Sequence, residues 1–243
     1  MKTSIILLRC DINDDLYQLT KNAAATLNAD EKIMVDNNST VDVCDWFSDW
    51  RDILIKNKTN IGYPAAVNQG FKLASGDLIA VANNDIRVMG NWREVAEEIF
   101  TSDPKVGSVH YRMVDYDGPP TQAGYNTWTT GKERWCSSSF FVIRKEAKQM
   151  YDENYKEGGY DDWDYWHRVR HIFGWKTAYT TKSCYQHKHS STYIALDSGD
   201  RSERDKRNRE YFKSKFGKYA EDIWNEKYPD QMREDYYGFF DQL

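Results

Sequence analysis

Five consecutive apolar residues, Leu78–Ala82, run directly into Asn83-Asn84-Asp85. A strand that is apolar on both faces must be covered on both, which is how the central strand of a parallel α/β sheet reads. The preceding residues supply the alternation such a sheet needs. Ser4–Leu8 is a short apolar run, followed by a helix with Asp14 or Asp15 at its cap and Leu16, Leu19, Ala23 and Leu27 at helical spacing. Lys32–Asp36 and Asp52–Lys56 read as further strands. Pro64 opens a second helix, Ala65–Ala74, with Val67, Phe71 and Ala74 on one face and Gly76 as its stop signal. Strands alternating with helices predict a parallel sheet with right-handed crossovers.

In open α/β sheets ligands bind beyond the carboxyl ends of the strands. Here those ends carry Arg9-Cys10-Asp11, Asp36-Asn37-Asn38 and Asn83-Asn84-Asp85. After about residue 100 the pattern changes to shorter strands, Val106–Met113, Ser138–Ile143 and Thr177–Thr180, around a Gly/Pro/Thr-rich loop, Tyr116–Gly131. A helix is predicted over Asp161–Phe173, with Trp163, Trp166, Val169 and Phe173 sharing a face and Gly174 ending it. The remaining residues read as helical and highly charged. No repeat or clear linker interrupts the chain, and 243 residues is about one and a half domains on the usual prior. The expectation is one domain over 1–243.

Several classes are excluded. Lys+Arg of 33 against Asp+Glu of 38 leaves −5, without the basic footprint of a general duplex-DNA binder. No apolar run is long enough for a membrane span or a signal-peptide core, so a cytoplasmic protein is expected. Cys10, Cys44, Cys136 and Cys184 form no C-x-x-C pair and read as buried or incidental thiols. Dinucleotide-fold, P-loop, zincin and hydrolase signatures are absent from the sequence. Aromatic residues make up 15% of the chain, clustered in Trp128–Trp135 and Tyr151–Trp175. Flat rings suit sugar faces or bases, and equally suit cores.

The polar motifs each carry two readings. Asp85 after the buried strand could hold a divalent cation with a diphosphate, or belong to an ordinary strand-end turn. Asp161-Asp162-Trp163-Asp164 gathers three carboxylates at a helix start. Asp164 and Arg168 suit an i,i+4 ion pair and Asp161 a helix cap. A carboxylate kept ionised by the helix dipole could also serve as a general base of lowered basicity. His187 or His189 could complete a metal site with Asp85, or form a solvated pair. Gly70, in mid-helix, suggests close packing. Arg201–Lys218 reads as a salt-laced helix with Glu203/Arg207 and Asp205/Arg209 pairs and with Phe212, Phe216 and Tyr219 facing the core.

Taken in order, the motifs resemble the family 2 inverting glycosyltransferases. The matching residues are Ile33-Met-Val-Asp36-Asn-Asn-Ser-Thr40, Asn60-Ile-Gly-Tyr-Pro-Ala-Ala-Val-Asn68-Gln-Gly70, Ala74-Ser-Gly-Asp77 and Asn83-Asn-Asp85. Then follow the strand Ser138–Arg144, Tyr151-Asp-Glu153, Asp161-Asp-Trp-Asp-Tyr-Trp-His-Arg168, Gly174 and His187. The resemblance spans roughly residues 3–192 and is strongest to members acting on cell-surface or polysaccharide glycans, including rhamnosyltransferase-like enzymes. It implies the GT-A (nucleotide-diphospho-sugar transferase) fold, α/β with a mostly parallel central sheet flanked by helices. Residues of about 1–100 would form the nucleotide-sugar half, about 101–195 the acceptor and catalytic half, and about 196–243 a helical C-terminal extension.

The same resemblance implies a nucleoside-diphosphate sugar donor, a glycan or other hydroxyl acceptor, and Mn²⁺ or Mg²⁺. Asp36 matches the acid that contacts the donor nucleoside, and Arg9, Asp11, Asn38, Asn60, Asn68, Asn83 and Asn84 join it as the donor-binding set. Asp85 matches the metal-binding acid, with His187 or His189 beside the metal. Asp162 matches the catalytic base, although Asp161 stands where the family usually has Glu, so either neighbour fills the role. Asn83 replaces a common Asp. Two other classes remain in view: a non-catalytic glycan- or nucleotide-binding module on the same fold, and a nucleotidyltransferase. Nucleic acid is not an expected partner.

Overall fold

A computed structural model of the protein describes residues 1–41, 45–116, 128–130, 137–156, 158–188, 191 and 201–227. The chain begins β1 (Thr3–Arg9), α1 (Asp14–Thr26), β2 (Glu31–Asp36), α2 (Asp45–Trp50), β3 (Ile53–Lys56), α3 (Tyr63–Leu73) and β4 (Leu78–Ala82). It continues with β5 (Ile86–Met89), α4 (Trp92–Ser102), β6 (Val106–Asp115), β7 (Trp128–Thr130) and β8 (Phe140–Arg144). Last come α5 (Asp161–His167) running into a π turn (Arg168–Ile172), β9 (Lys176–His187), α6 (Arg201–Phe216) and α7 (Ala220–Lys227).

The expected parallel core is present. Strands β3, β2, β1 and β4 pair in that order, all parallel, and β4 is buried at every position. Beyond β4 the sheet turns mixed: β8 joins antiparallel, then β6, β9 and β5 follow, with β7 also on β9. One face carries Ile5, Leu7, Met34, Ala80 and Phe140 against α1 and α4 residues such as Ala23, Val95 and Ile99. The other carries Ile6, Ile33, Val81 and Phe141 against Val67 and Phe71 of α3 and Tyr165 and Trp166 of α5. The alternation of side chains along each strand produces these two layers.

Local details differ from the sequence expectations for identifiable reasons. Asn13, not Asp14 or Asp15, caps α1, its side chain accepting the Leu16 N–H. Helix α3 ends with Ala74 at its C-cap, so Gly76 is not the stop signal. A Cβ at Gly76 would lie 2.7 Å from the Ser4 nitrogen, and the Gly76 N–H donates to Ser4 Oγ. Gly76 is glycine because backbone passes there. Gly70 is the close approach expected, since a Cβ there would meet Ile6 Cγ2 at 2.5 Å. The third late strand is twelve residues long rather than four. Helix α5 stops at His167, and its cap is Tyr160 rather than Asp161. The Asp164–Arg168 pair forms as expected at 2.5 Å, while Arg209 pairs with Glu221 and Asp205 with Arg204. Phe212 is buried against Tyr155 and Ala220. Cys10 and Cys184 are buried free thiols; Cys44 and Cys136 lie outside the described residues.

Candidate active site

The carboxyl ends of β1 and β2 form a buried charged network. Arg9 Nε lies 3.1 Å from Asp11 Oδ2 and 3.9 Å from Asp36 Oδ2, and donates to Ser39 Oγ at 3.0 Å. One terminal nitrogen donates to the Val41 carbonyl at 2.7 Å. The other, Nη1, is buried and donates to nothing among the described residues. Ser39 receives the Asp11 N–H, and its own N–H donates to Asp36 Oδ1. Asp11 Oδ1 accepts from the Thr20 hydroxyl at 2.6 Å and from the Asn84 amide at 2.9 Å. Burial pushes the Asp11 carboxyl above its ordinary value, and Arg9 pulls it back. A buried carboxylate persists only with such partners. The Asp11–Asn84 bond joins the ends of β1 and β4.

Asn37 connects this network to the loop before α3. Its amide donates to Asn60 Oδ1 at 2.8 Å and its oxygen accepts the Ile61 N–H at 3.0 Å. Asn60 Nδ2 lies 3.7 Å from Cys10 Sγ. Asn38 is exposed, with left-handed φ of 73°. Asn68 is placed apart from this group. Its amide donates to the Tyr151 carbonyl and to Glu153 Oε1, and its oxygen accepts the Tyr151 N–H. That side chain ties α3 to the segment after β8.

Asp85 and His187 come together at the far end of β4. His187 Nε2 stands 3.2 Å from Asp85 Oδ1, because β5 and β9 pair with Ile86 opposite His187. Asp85 Oδ1 and Asn83 Oδ1 are buried and take no hydrogen bond among the described residues. No cluster of three or more His, Cys, Asp and Glu side chains forms a cation site among those residues. Two such donors suit a cation that completes its shell with phosphate oxygens and water. His189 lies outside the described residues.

Asp161 is buried and Asp162 half-buried at the start of α5. Asp162 Oδ1 accepts the Trp163 N–H at 2.9 Å. Burial raises both carboxyls well above the ordinary carboxylate range, and the Asp162 charge raises Asp161 further. The sequence reading expected the helix dipole to lower the basicity of this pair; desolvation outweighs it here. Sequence reading also missed Ser39 and Tyr63. The Tyr63 hydroxyl donates to the Ser138 carbonyl at 2.6 Å. Burial pushes its phenol up, and the charges of Asp161 and Asp162 push it further. The neighbouring Ser139 carbonyl accepts the Asn83 N–H at 2.9 Å. Tyr63 and Ser138–Ser139 therefore tie the start of α3 to the β4 end, near enough to the paired acids for their charge to reach the Tyr63 phenol. Their only sequence signal was position: Ser39 within the Asp36 turn, Tyr63 at the start of α3.

A sequence model of the family described as glycosyl transferase family 2 matches residues 13–192. The chain belongs to this family. No curated protein matches it. Among solved structures, a glycosyltransferase-family fold is shared with GalNAc-T7, crystallised with UDP, GalNAc and Mn²⁺. That match has a TM-score of 0.60 at 12% identity and covers 77% of this chain and 44% of that one. S. aureus TarS 1–349 in complex with UDP matches with a TM-score of 0.60 at 14% identity, covering 93% of this chain and 75% of that one. At such identities the likeness establishes the fold, the GT-A arrangement expected from the sequence. This family 2 chain spans less than half of the GalNAc-T7 chain. None of its described helices is long and apolar enough to cross a membrane.

Proposed function

We propose that the chain transfers a sugar from a nucleoside-diphosphate sugar to a hydroxyl acceptor, with inversion at the anomeric carbon. The observation that carries this reading is the paired acids Asp161 and Asp162, desolvated at the start of α5, with their charge reaching the Tyr63 phenol that donates to Ser138. A sugar hydroxyl is a poor nucleophile at neutral pH. Asp162 takes its proton as the oxygen attacks the anomeric carbon, while the bond to the diphosphate oxygen breaks on the opposite face. Asp161, the more deeply buried acid, keeps its proton to higher pH and leaves Asp162 the ionised partner. Single displacement inverts the centre.

Asp36 and Asp11, fixed by Arg9 and Ser39, would meet the nucleoside, with Asn37, Asn38 and Asn60 shaping that edge. Arg9 is so buried that it acts chiefly by holding the two acids. Asn83 and Asn84 line the diphosphate side. Asp85 and His187 would hold Mn²⁺ or Mg²⁺, which when bound would offset charge on the leaving diphosphate. Family membership, together with UDP in two solved neighbours and Mn²⁺ in one, supports UDP and Mn²⁺ as the first donor and metal to try. The order of motifs supports a glycan acceptor of the polysaccharide or cell-surface kind, and a rhamnosyltransferase-like member. We read the chain as one domain, residues of about 196–243 being an extension. Asn83, in place of a common Asp, favours the second reading, a binding module without turnover.

A thermal-shift panel of UDP, GDP, dTDP and CDP, each with and without Mn²⁺, tests the donor reading. A nucleotide at 100 times its Kd stabilises by about 2.7 kcal/mol, a rise of several degrees at this size. One nucleotide should raise the melting temperature more with Mn²⁺ than without it, and Asp85→Ala should remove the difference. No shift with any of the four would contradict the reading.

A further inference from the structure

The acids at the start of α5 are reached through an unusual turn. Gly158, Gly159 and Tyr160 have φ of 76°, 81° and 63°, three left-handed residues in a row. For a tyrosine this conformation is strained, because Cβ crowds the carbonyl. Successive left-handed residues also build no helical ladder, so their carbonyls need donors from elsewhere.

Those donors come from α6. Asn208 is 1% exposed on a helix otherwise crowded with charge. Its amide donates to the Gly158 carbonyl at 2.8 Å and to the Gly159 carbonyl at 3.0 Å, with the Lys156 carbonyl at 3.5 Å. Contact between helix and turn is close. A Cβ at Gly159 would lie 2.7 Å from Asp205 Oδ1 and 3.3 Å from Arg204 Nε. One turn into α5, Lys215 of α6 also holds Asp164 Oδ2 at 2.5 Å and Asp152 Oδ2 at 2.7 Å. Helix α6 thus grips α5 at its entry and in its middle. A leucine at 208 would bring no donor, an ionised aspartate would repel both carbonyls, and glutamine would be a methylene too long.

We propose that Asn208 is a positioning residue for the reaction, its amide fixing the Gly158-Gly159-Tyr160 turn that aims Asp161 and Asp162. This rests on the function proposed above, and it gives α6 a part in catalysis. The charges that reach the acids from outside the pair are Arg204 and Asp205 of α6, while Tyr63 of α3 and Tyr151 are neutral phenols that feel the acids' own charge. Changing only Asn208 alters none of these four side chains.

The test is a carboxyl-carbon NMR titration of the full chain labelled at Asp Cγ, with Asp161→Asn and Asp162→Asn assigning the two resonances. In Asn208→Ala the turn loosens, water reaches the acids, and their midpoints should fall by about one pH unit toward ordinary carboxylate values. Gly159→Ala presses on the same contact from the turn and should lower them too, which keeps the test available if Asn208→Ala does not fold. Hydrolysis of UDP-glucose, UDP-GlcNAc and dTDP-rhamnose is then followed in the same variants, expecting kcat at least tenfold lower with KM nearly unchanged. Midpoints and kcat equal to wild type in a folded Asn208→Ala protein would overturn the proposal. If instead Asp162→Asn leaves hydrolysis intact, the function reading fails, and the titration still reports whether Asn208 sets the turn.

Discussion

A carboxylate that has lost its water is a better base than one in solution, and Asp161 and Asp162 are two such groups side by side. The charge of Asp162 raises Asp161, so the two titrations are linked. Replacing Asp162 by Asn keeps the shape and removes the proton acceptor. Transfer should drop by at least ~10²-fold, the usual worth of a general base, with nucleotide affinity within a few-fold of wild type by calorimetric titration. The pair also ties stability to pH. Because burial raises both folded-state values, the folded chain holds these protons more tightly than the unfolded one. Their contribution is fully present below the ordinary 3.8 and is lost as pH rises through the raised values. Asp161→Asn should therefore be more stable than wild type at pH 8, the gap closing toward pH 4 in denaturant melts. A gap that widens toward acid pH would have the wrong sign.

Among the elements, α3 carries the strongest packing constraints. Asn68 spends its whole side chain on Tyr151 and Glu153, so Asn68→Ala leaves a buried N–H and C=O unpaired. A loss of about 1–3 kcal/mol is expected in urea unfolding, with little change in nucleotide affinity; a large affinity loss at unchanged stability would instead return Asn68 to the donor-binding set. Gly70→Ala drives a methyl into Ile6 and should cost about 1–2 kcal/mol despite alanine's better helix propensity, measured the same way. The parallel strands were legible because each is a short apolar run with a turn on either side. Helix α4 is legible in Trp92, Val95, Ala96, Ile99 and Phe100 at helical spacing, all buried against the sheet. The sequence shows only four residues of strand β9 because its later part, Cys184–His187, is strand by pairing with β5 and β6, beyond an irregularity that takes in Lys182 and Ser183. The left-handed turn before α5 had two glycines to announce it and a tyrosine to hide it.

At the scale of the molecule, one sheet gathers polar groups that are spread along the sequence from Arg9 to His187. The strand-end acids were legible from position alone, since an α/β sheet opens its ligand cleft there. What the sequence could not show is how they are held: Ser39 between Arg9 and Asp36, Tyr63 on the Ser138 carbonyl, Asn208 behind the turn. These contacts cross elements distant in the chain and have no periodicity to betray them. The account stands most directly on the stereochemistry of the reaction. Proton NMR of the sugar first released from a hydrolysed donor, taken from the panel UDP-glucose, UDP-GlcNAc, UDP-GalNAc and dTDP-rhamnose with Mn²⁺, reads the anomer before it equilibrates. The account predicts the inverted anomer from wild type and no release from Asp162→Asn. Release of the retained anomer, or equal release from the variant, would contradict it.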